Sequence, residues 1–171
     1  FRLNQTLPKV NLKLMMGYDY SVARVTMESQ FGRELPAPWN QPHRLQLRTL
    51  WRISPSFSTV LKWESVYGRI WGFRQSYYNY LLYQGAGQFG EYNFENPEND
   101  RLSPFHQLDA SFIYRPSLNF MDLELRADLI NLLDRRNTLD WSLQPNPSGG
   151  YDIKKRTMPG LNPSLSIRMA F

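Results

Sequence analysis

Six segments of the chain alternate apolar and polar residues with period two, the spacing that sends successive side chains to opposite faces of a β-strand. In the first, Val10, Leu12, Leu14, Met16, Tyr18 and Tyr20 share a face, opposite Asn11, Lys13, Met15, Gly17 and Asp19. The second sets Leu45, Leu47, Thr49 and Trp51 against Arg44, Gln46, Arg48, Leu50 and Arg52. The third sets Thr59, Leu61, Trp63, Ser65 and Tyr67 against Ser58, Val60, Lys62, Glu64 and Val66. Further on, Leu108, Ala110, Phe112 and Tyr114 oppose Asp109, Ser111, Ile113 and Arg115, and Leu123, Leu125, Ala127 and Leu129 oppose Asp122, Glu124, Arg126 and Asp128. The last segment puts Leu165, Ile167, Met169 and Phe171 opposite Ser164, Ser166, Arg168 and Ala170 and ends on the aromatic. The predicted strands lie near 8–22, 43–53, 58–70, 106–115, 122–132 and 161–171.

The connections between these segments alternate in length. Residues 53–57 and 116–121 are short links in which proline interrupts the ladder. The links 23–42, 71–105 and 133–160 are long, and they hold most of the Gly, Pro and Asn. Unstructured loops beyond about 12–15 residues are uncommon in compact domains. Long loops all on one side of a meander, with short turns on the other, are the pattern of outer-membrane barrels. The aromatics Tyr18, Tyr20, Trp51, Tyr67 and Tyr114 fall near predicted strand ends, where interfacial girdles form. The fold expected is therefore all-β: an antiparallel transmembrane β-barrel segment. About six strands cannot close a membrane barrel, which takes roughly eight or more. An open sheet would expose unpaired backbone to lipid, so further strands are expected upstream. With the long loops outside, the last strand runs inward and Phe171 reaches the periplasmic rim.

Composition narrows the alternatives. Ten Tyr, ten Phe and five Trp accompany a negative mean hydropathy, as when only every second strand residue meets lipid. No apolar run approaches the ~20 residues of a helical span. With no cysteine, disulfides and thiolate metal sites are excluded. The net charge of +5 comes from basic residues on alternating positions rather than in blocks, which is not a nucleic-acid footprint. The first residues lack the pattern of a signal peptide, as expected of a mature chain or a fragment.

Three stretches carry a family resemblance. Pro36 to Leu45 (PAPWNQPHRL) resembles the proline–tryptophan–histidine element leading into a barrel strand of TonB-dependent outer-membrane receptors. Phe105 to Tyr114, followed by Leu123 to Arg135, is similar to two further strands of that family, the second ending in an Asn-Leu element. The closing strand is the third. Leu133-Asp134 and Met169 depart from the residues most often found there. The resemblance implies the carboxy-terminal part of a barrel of about 22 strands, filled by an amino-terminal plug and importing a scarce nutrient with energy delivered by the TonB complex. It also implies outer-membrane lipid around the barrel, a surface lipoprotein as a further partner, and the barrel-assembly machinery reading Ile167, Met169 and Phe171. No cofactor is expected.

Two residue sets are candidates for function. Lys13, Asp19, Arg44, Arg48, Lys62, Glu64, Arg126 and Asp128 would face the lumen, either as part of a substrate path or as an ordinary polar wall paired across strands. Tyr77, Tyr78, Tyr80, Tyr83, Phe89 and Tyr92 lie in the longest link amid Gly and Asn and suit sugars, peptides or planar chelates. Their alternative is self-packing of the loop. His106 with Asp109 and Ser111 is the one writable catalytic set, and its members alternate in face, so catalysis is not expected. Glu91, Glu95, Glu98 and Asp100 lack the spacing of a calcium loop and read as a solvated turn. Two alternatives to import are a structural, non-transporting barrel segment and a soluble β-sandwich binding module.

Overall fold

The computed structural model describes residues 1–27, 33–37, 39–69, 101–145, 147 and 151–170. The main sheet is a seven-stranded antiparallel meander. It contains β1 (Arg2–Leu7) and β2 (Leu12–Tyr20), then β5 (His43–Arg52), β6 (Phe57–Tyr67), β7 (Phe105–Tyr114), β8 (Asp122–Ile130) and β11 (Asn162–Ala170), neighbours in that order. Two hairpins stand apart from it: β3 (Arg24–Met27) with β4 (Arg33–Pro36), and β9 (Thr138–Pro145) with β10 (Tyr151–Thr157). The described residues contain no α-helix. β1 and β11 have no partner on their outer sides, so the sheet does not close on itself among the described residues.

The expected strand 8–22 is corrected to β2 at 12–20, preceded by a strand, β1, that was not expected. Pro8 has no N–H to give a ladder, and Asn11 takes a left-handed φ of 50°. Together they make a single 3-10 turn, with Asn11 N–H donating to Pro8 O at 3.2 Å. The chain therefore doubles back with Leu7 opposite Leu12, which adds a seventh strand to the expected six. The strand expected at 58–70 stops at Tyr67 because Gly68 has φ 73°. Likewise the strand expected at 122–132 stops at Ile130 because Asn131 has φ 58°. The strands expected at 43–53, 106–115 and 161–171 are 43–52, 105–114 and 162–170, and Phe171 lies outside the described residues.

The short turns 8–11, 53–56 and 115–121 lie at one end of the sheet, and the three long links leave from the other. β11 descends from the last long link, so Ala170 pairs with Asp122 at the short-turn end. Two of the long links are not plain loops as expected: 23–42 carries β3–β4 and 133–160 carries β9–β10. In the second hairpin Arg156 holds Asp140, its Nε lying 2.6 Å from Oδ1, and this cation keeps the Asp140 carboxyl below its usual range. Most of the expected loop 71–105 falls outside the described residues, and its final residue, Phe105, already belongs to β7.

Register sorts the side chains. One face carries the row Met15, Arg48, Lys62, Asp109 and the row Lys13, Leu50, Val60, Ser111, Asp128. The other carries Leu12, Trp51, Thr59, Phe112, Ala127, Leu165 and Leu14, Thr49, Leu61, Ala110, Leu129. A slip of one residue in any pair would exchange the faces of a whole strand.

The sheet is curled toward its polar face. One hollow of about 500 Å3, at the short-turn end, is lined by Thr6 of β1, Lys13 of β2, Arg52 of β5, Ser58 of β6 and Ile113 of β7. Those strands would span about 19 Å if flat, at ~4.8 Å each, so shared lining requires curvature. The apolar face is the outer one. Nothing described covers it: Leu61 is 40% exposed, Tyr114 45% and Leu165 73%. The buried hydrophobic side chains are only Ala37, Val66, Leu102, Phe105 and Ala110 among the described residues. A sheet in water normally buries its apolar face under a second layer.

Candidate functional site

The eight charged residues singled out from the sequence, Lys13, Asp19, Arg44, Arg48, Lys62, Glu64, Arg126 and Asp128, share the hollow face by register. Some pair. Arg44 and Glu64 meet at 2.7 Å, and Arg126 Nε lies 2.9 Å from Asp128. Ser111 Oγ donates to Asp128 from the neighbouring strand. Nearer the short turns Arg115 and Glu124 meet at 2.6 Å. Others do not pair: Arg48 sits directly opposite Lys62, and neither forms an ion pair among the described residues. Like charges directly opposed across strands repel, and Asp109, opposite Lys62 on its other side, is the acid of this row.

The outer face is banded. At the long-link end Tyr18 OH and His43 Nδ1 lie 2.8 Å apart, the Tyr20 ring is 5.2 Å from His43, and Tyr67 meets His106 edge-on at 5.3 Å. At the short-turn end Trp51 Nε1 donates to Val10 O at 3.0 Å, and Phe57 stacks 6.5 Å from Phe112 near Tyr114. Aliphatic rows such as Leu14–Leu61–Ala110–Leu129 lie between. On β6 the bands at Phe57 and Tyr67 are ten residues apart, roughly 33 Å along the strand. Tilted by ~40°, that is about 25 Å, the height of the apolar belt of transmembrane barrels.

A compact polar knot closes the long-link rim, and it was not visible in the sequence. The pairing of β7 with β8 begins only at Ala110, opposite Leu129, leaving residues 105–109 without a strand partner on that side. The segment 131–138 takes its place. Leu132 N–H donates to Leu108 O at 2.6 Å, and the Asn137 side chain imitates a ladder residue, accepting from His106 N–H at 3.0 Å and donating to His106 O at 2.7 Å. Asn131 Nδ2 donates to Arg135 O at 2.9 Å and Pro159 O at 3.1 Å, while its own N–H donates to Asp109 at 3.0 Å. Asn131 and Asn137 are both buried. Only the Asn-Leu pair within the family-like strand end hinted at them.

The catalytic set writable from sequence does not assemble. His106 lies on the apolar face, and Asp109 and Ser111 on the other. His106 Nδ1 instead meets Ser65 Oγ at 2.7 Å, but Ser65 is fully buried and the ring contacts Tyr67 rather than an acid. A nucleophile with no exposed surface meets no substrate. No cluster of metal-ligating side chains occurs among the described residues, nor any helix long and apolar enough to cross a membrane.

The loop aromatics Tyr77, Tyr78, Tyr80, Tyr83, Phe89 and Tyr92 lie outside the described residues, as does Phe171. Ile167 and Met169 pair with Leu125 and Leu123 and sit on the exposed outer face of β11. No family model, curated protein or solved structure matches the chain.

Proposed function

We propose that this chain is wall and outer loops of an outer-membrane β-barrel, the carboxy-terminal strands of a TonB-dependent receptor that imports a scarce nutrient. The observation that supports this most is the sorting of the curled sheet. Charge lies on the face that carries the hollow, while the opposite face is apolar, uncovered and banded by aromatics at a bilayer's spacing. A water-soluble β-sandwich has the opposite need, with apolar residues enclosed between layers. In the barrel reading the unpaired edges of β1 and β11 join further strands, since lipid tolerates no open edge. The hollow faces the lumen and the plug, the long links face outward, and β11 ends at the periplasmic side within reach of the barrel-assembly machinery. The TonB complex acts through the plug, and a surface lipoprotein could cover the long links. Transport itself rests on the three family-like stretches.

A growth panel separates import from a purely structural barrel. A strain lacking the gene is grown with iron chelates, oligosaccharides, peptides or vitamins as the limiting nutrient. Loss of growth on one class, reproduced by depleting TonB, is the expected result. Undiminished growth on every class, together with a leaky or unstable envelope, would favour the structural alternative.

A further inference from the structure

Three arginines converge where β6 and β7 leave the sheet at the long-link end. Arg69 Nη2 donates to Thr138 O at 2.9 Å and to Ser103 O at 3.3 Å, and its guanidinium lies 5.4 Å over the Phe105 ring. Arg101 Nη1 donates to Gly68 O at 3.2 Å, and Arg135 Nη2 donates to Pro104 O at 3.1 Å. The three groups are gathered onto a few neighbouring residues, for Leu102 N–H bonds Arg69 O at 2.9 Å and places Gly68 beside Ser103. The carbonyls of Gly68, Ser103 and Pro104 thus lie within roughly 10 Å, two to three residue spacings.

No carboxylate among the described residues contacts these three guanidiniums. None of the three arginines forms an ion pair among the described residues. Asp134 uses Oδ1 to accept from Leu161 N–H, and Asp140 is held by Arg156. Each guanidinium carries five N–H donors and, among the described residues, bonds the backbone through one nitrogen. Arg69 Nε is buried with no partner among the described residues, so the donors open to a ligand are chiefly those of the exposed Arg101 and Arg135. Gathered cations with unspent, forked donors are the chemistry that takes up a phosphate-type oxyanion.

We propose that Arg69, Arg101 and Arg135 form an oxyanion site for a phosphate group at the long-link rim. This goes beyond the import reading and does not depend on it. The phosphate can come from the headgroup of a surrounding lipid or from a free solute, and the two sources separate experimentally.

The test uses the full-length protein purified in detergent. Inorganic phosphate is titrated calorimetrically into the wild type, the double variant Arg101→Gln/Arg135→Gln, Arg69→Lys, and the control Arg168→Gln at the far end of the sheet. Lipid that copurifies is quantified by mass spectrometry. If the source is a solute, the double variant loses roughly tenfold or more in phosphate affinity, as expected for lost charge-assisted hydrogen bonds, and the control does not. If the source is a lipid, free phosphate binds weakly to all, but the double variant retains several-fold less phosphate-bearing lipid than the control. Arg69→Lys keeps the charge and loses the fork, so it should fall between. Circular dichroism confirms that each variant is folded, and the double variant spares half-buried Arg69 in case that position is needed for folding. Equal phosphate affinity and equal bound lipid in the wild type, the double variant and the control would overturn the site.

Discussion

Leu61→Arg should destabilise the protein in a bilayer by about 2–4 kcal/mol, the cost of a lipid-facing arginine near the midplane of a transmembrane barrel. Leu61 sits in the middle of the outer face, in the row Leu14, Thr49, Leu61, Ala110, Leu129. Its 40% exposure makes the prediction discriminating. If the solvent on that face were water, a charge on so exposed a side chain would change stability by no more than about 0.5 kcal/mol. The same arginine at Gln46, on the hollow face beside Arg44 and Glu64, should be close to neutral. Reversible urea titrations of the protein folded into vesicles measure both substitutions. Near-equal effects at the two positions would contradict a lipid-facing outer surface.

Asn131→Ala should cost about 2–4 kcal/mol by a different route. Asn131 is 4% exposed and sits at φ 58°, where alanine pays roughly 1–2 kcal/mol that asparagine pays in smaller part. Its amide also serves Arg135 O, Pro159 O and Arg135 N–H. Deleting it strands buried polar groups at about 1–3 kcal/mol. Asn131→Asp keeps the oxygen and loses both donated bonds, so it should be intermediate, and Asn131→Gly relieves the backbone alone. Hydrogen exchange at Leu132 and Arg135 should rise in the same order as the loss of stability. A change below about 0.5 kcal/mol in Asn131→Ala would show that the rim is held by something other than this amide.

The main sheet was legible because its signal is local. Period two alone separates Lys62 and Glu64 from Leu61 and Trp63, and the link lengths alone order the meander. β1 was missed and the start of β2 misplaced because Val10 is in phase with Leu12, so the apolar alternation runs on into a turn. Pro8 and Asn11 were the available signs of the break. The hairpin β9–β10 was hidden in a link rich in Pro and Gly, although Leu139, Trp141 and Leu143 do alternate. The rim was not legible at all. Asn137 acts as a ladder residue for His106 only because β8 stops at Ile130, and Arg69, Arg101 and Arg135 reach neighbouring carbonyls only through tertiary pairing. Contacts between residues some 30 positions apart leave no periodicity to read.

The central claim is that the convex face meets lipid and the hollow face meets water. The chain has no cysteine, so single cysteines placed from Val60 to Glu64 take a nitroxide label without background. Electron paramagnetic resonance of each labelled protein in vesicles then gives its collision rate with oxygen, which partitions into lipid, and with a water-soluble nickel chelate. A barrel wall gives oxygen maxima at positions 61 and 63 and nickel maxima at 60, 62 and 64, two period-two waves out of phase. Nickel maxima at 61 and 63, or two waves in phase, would contradict it.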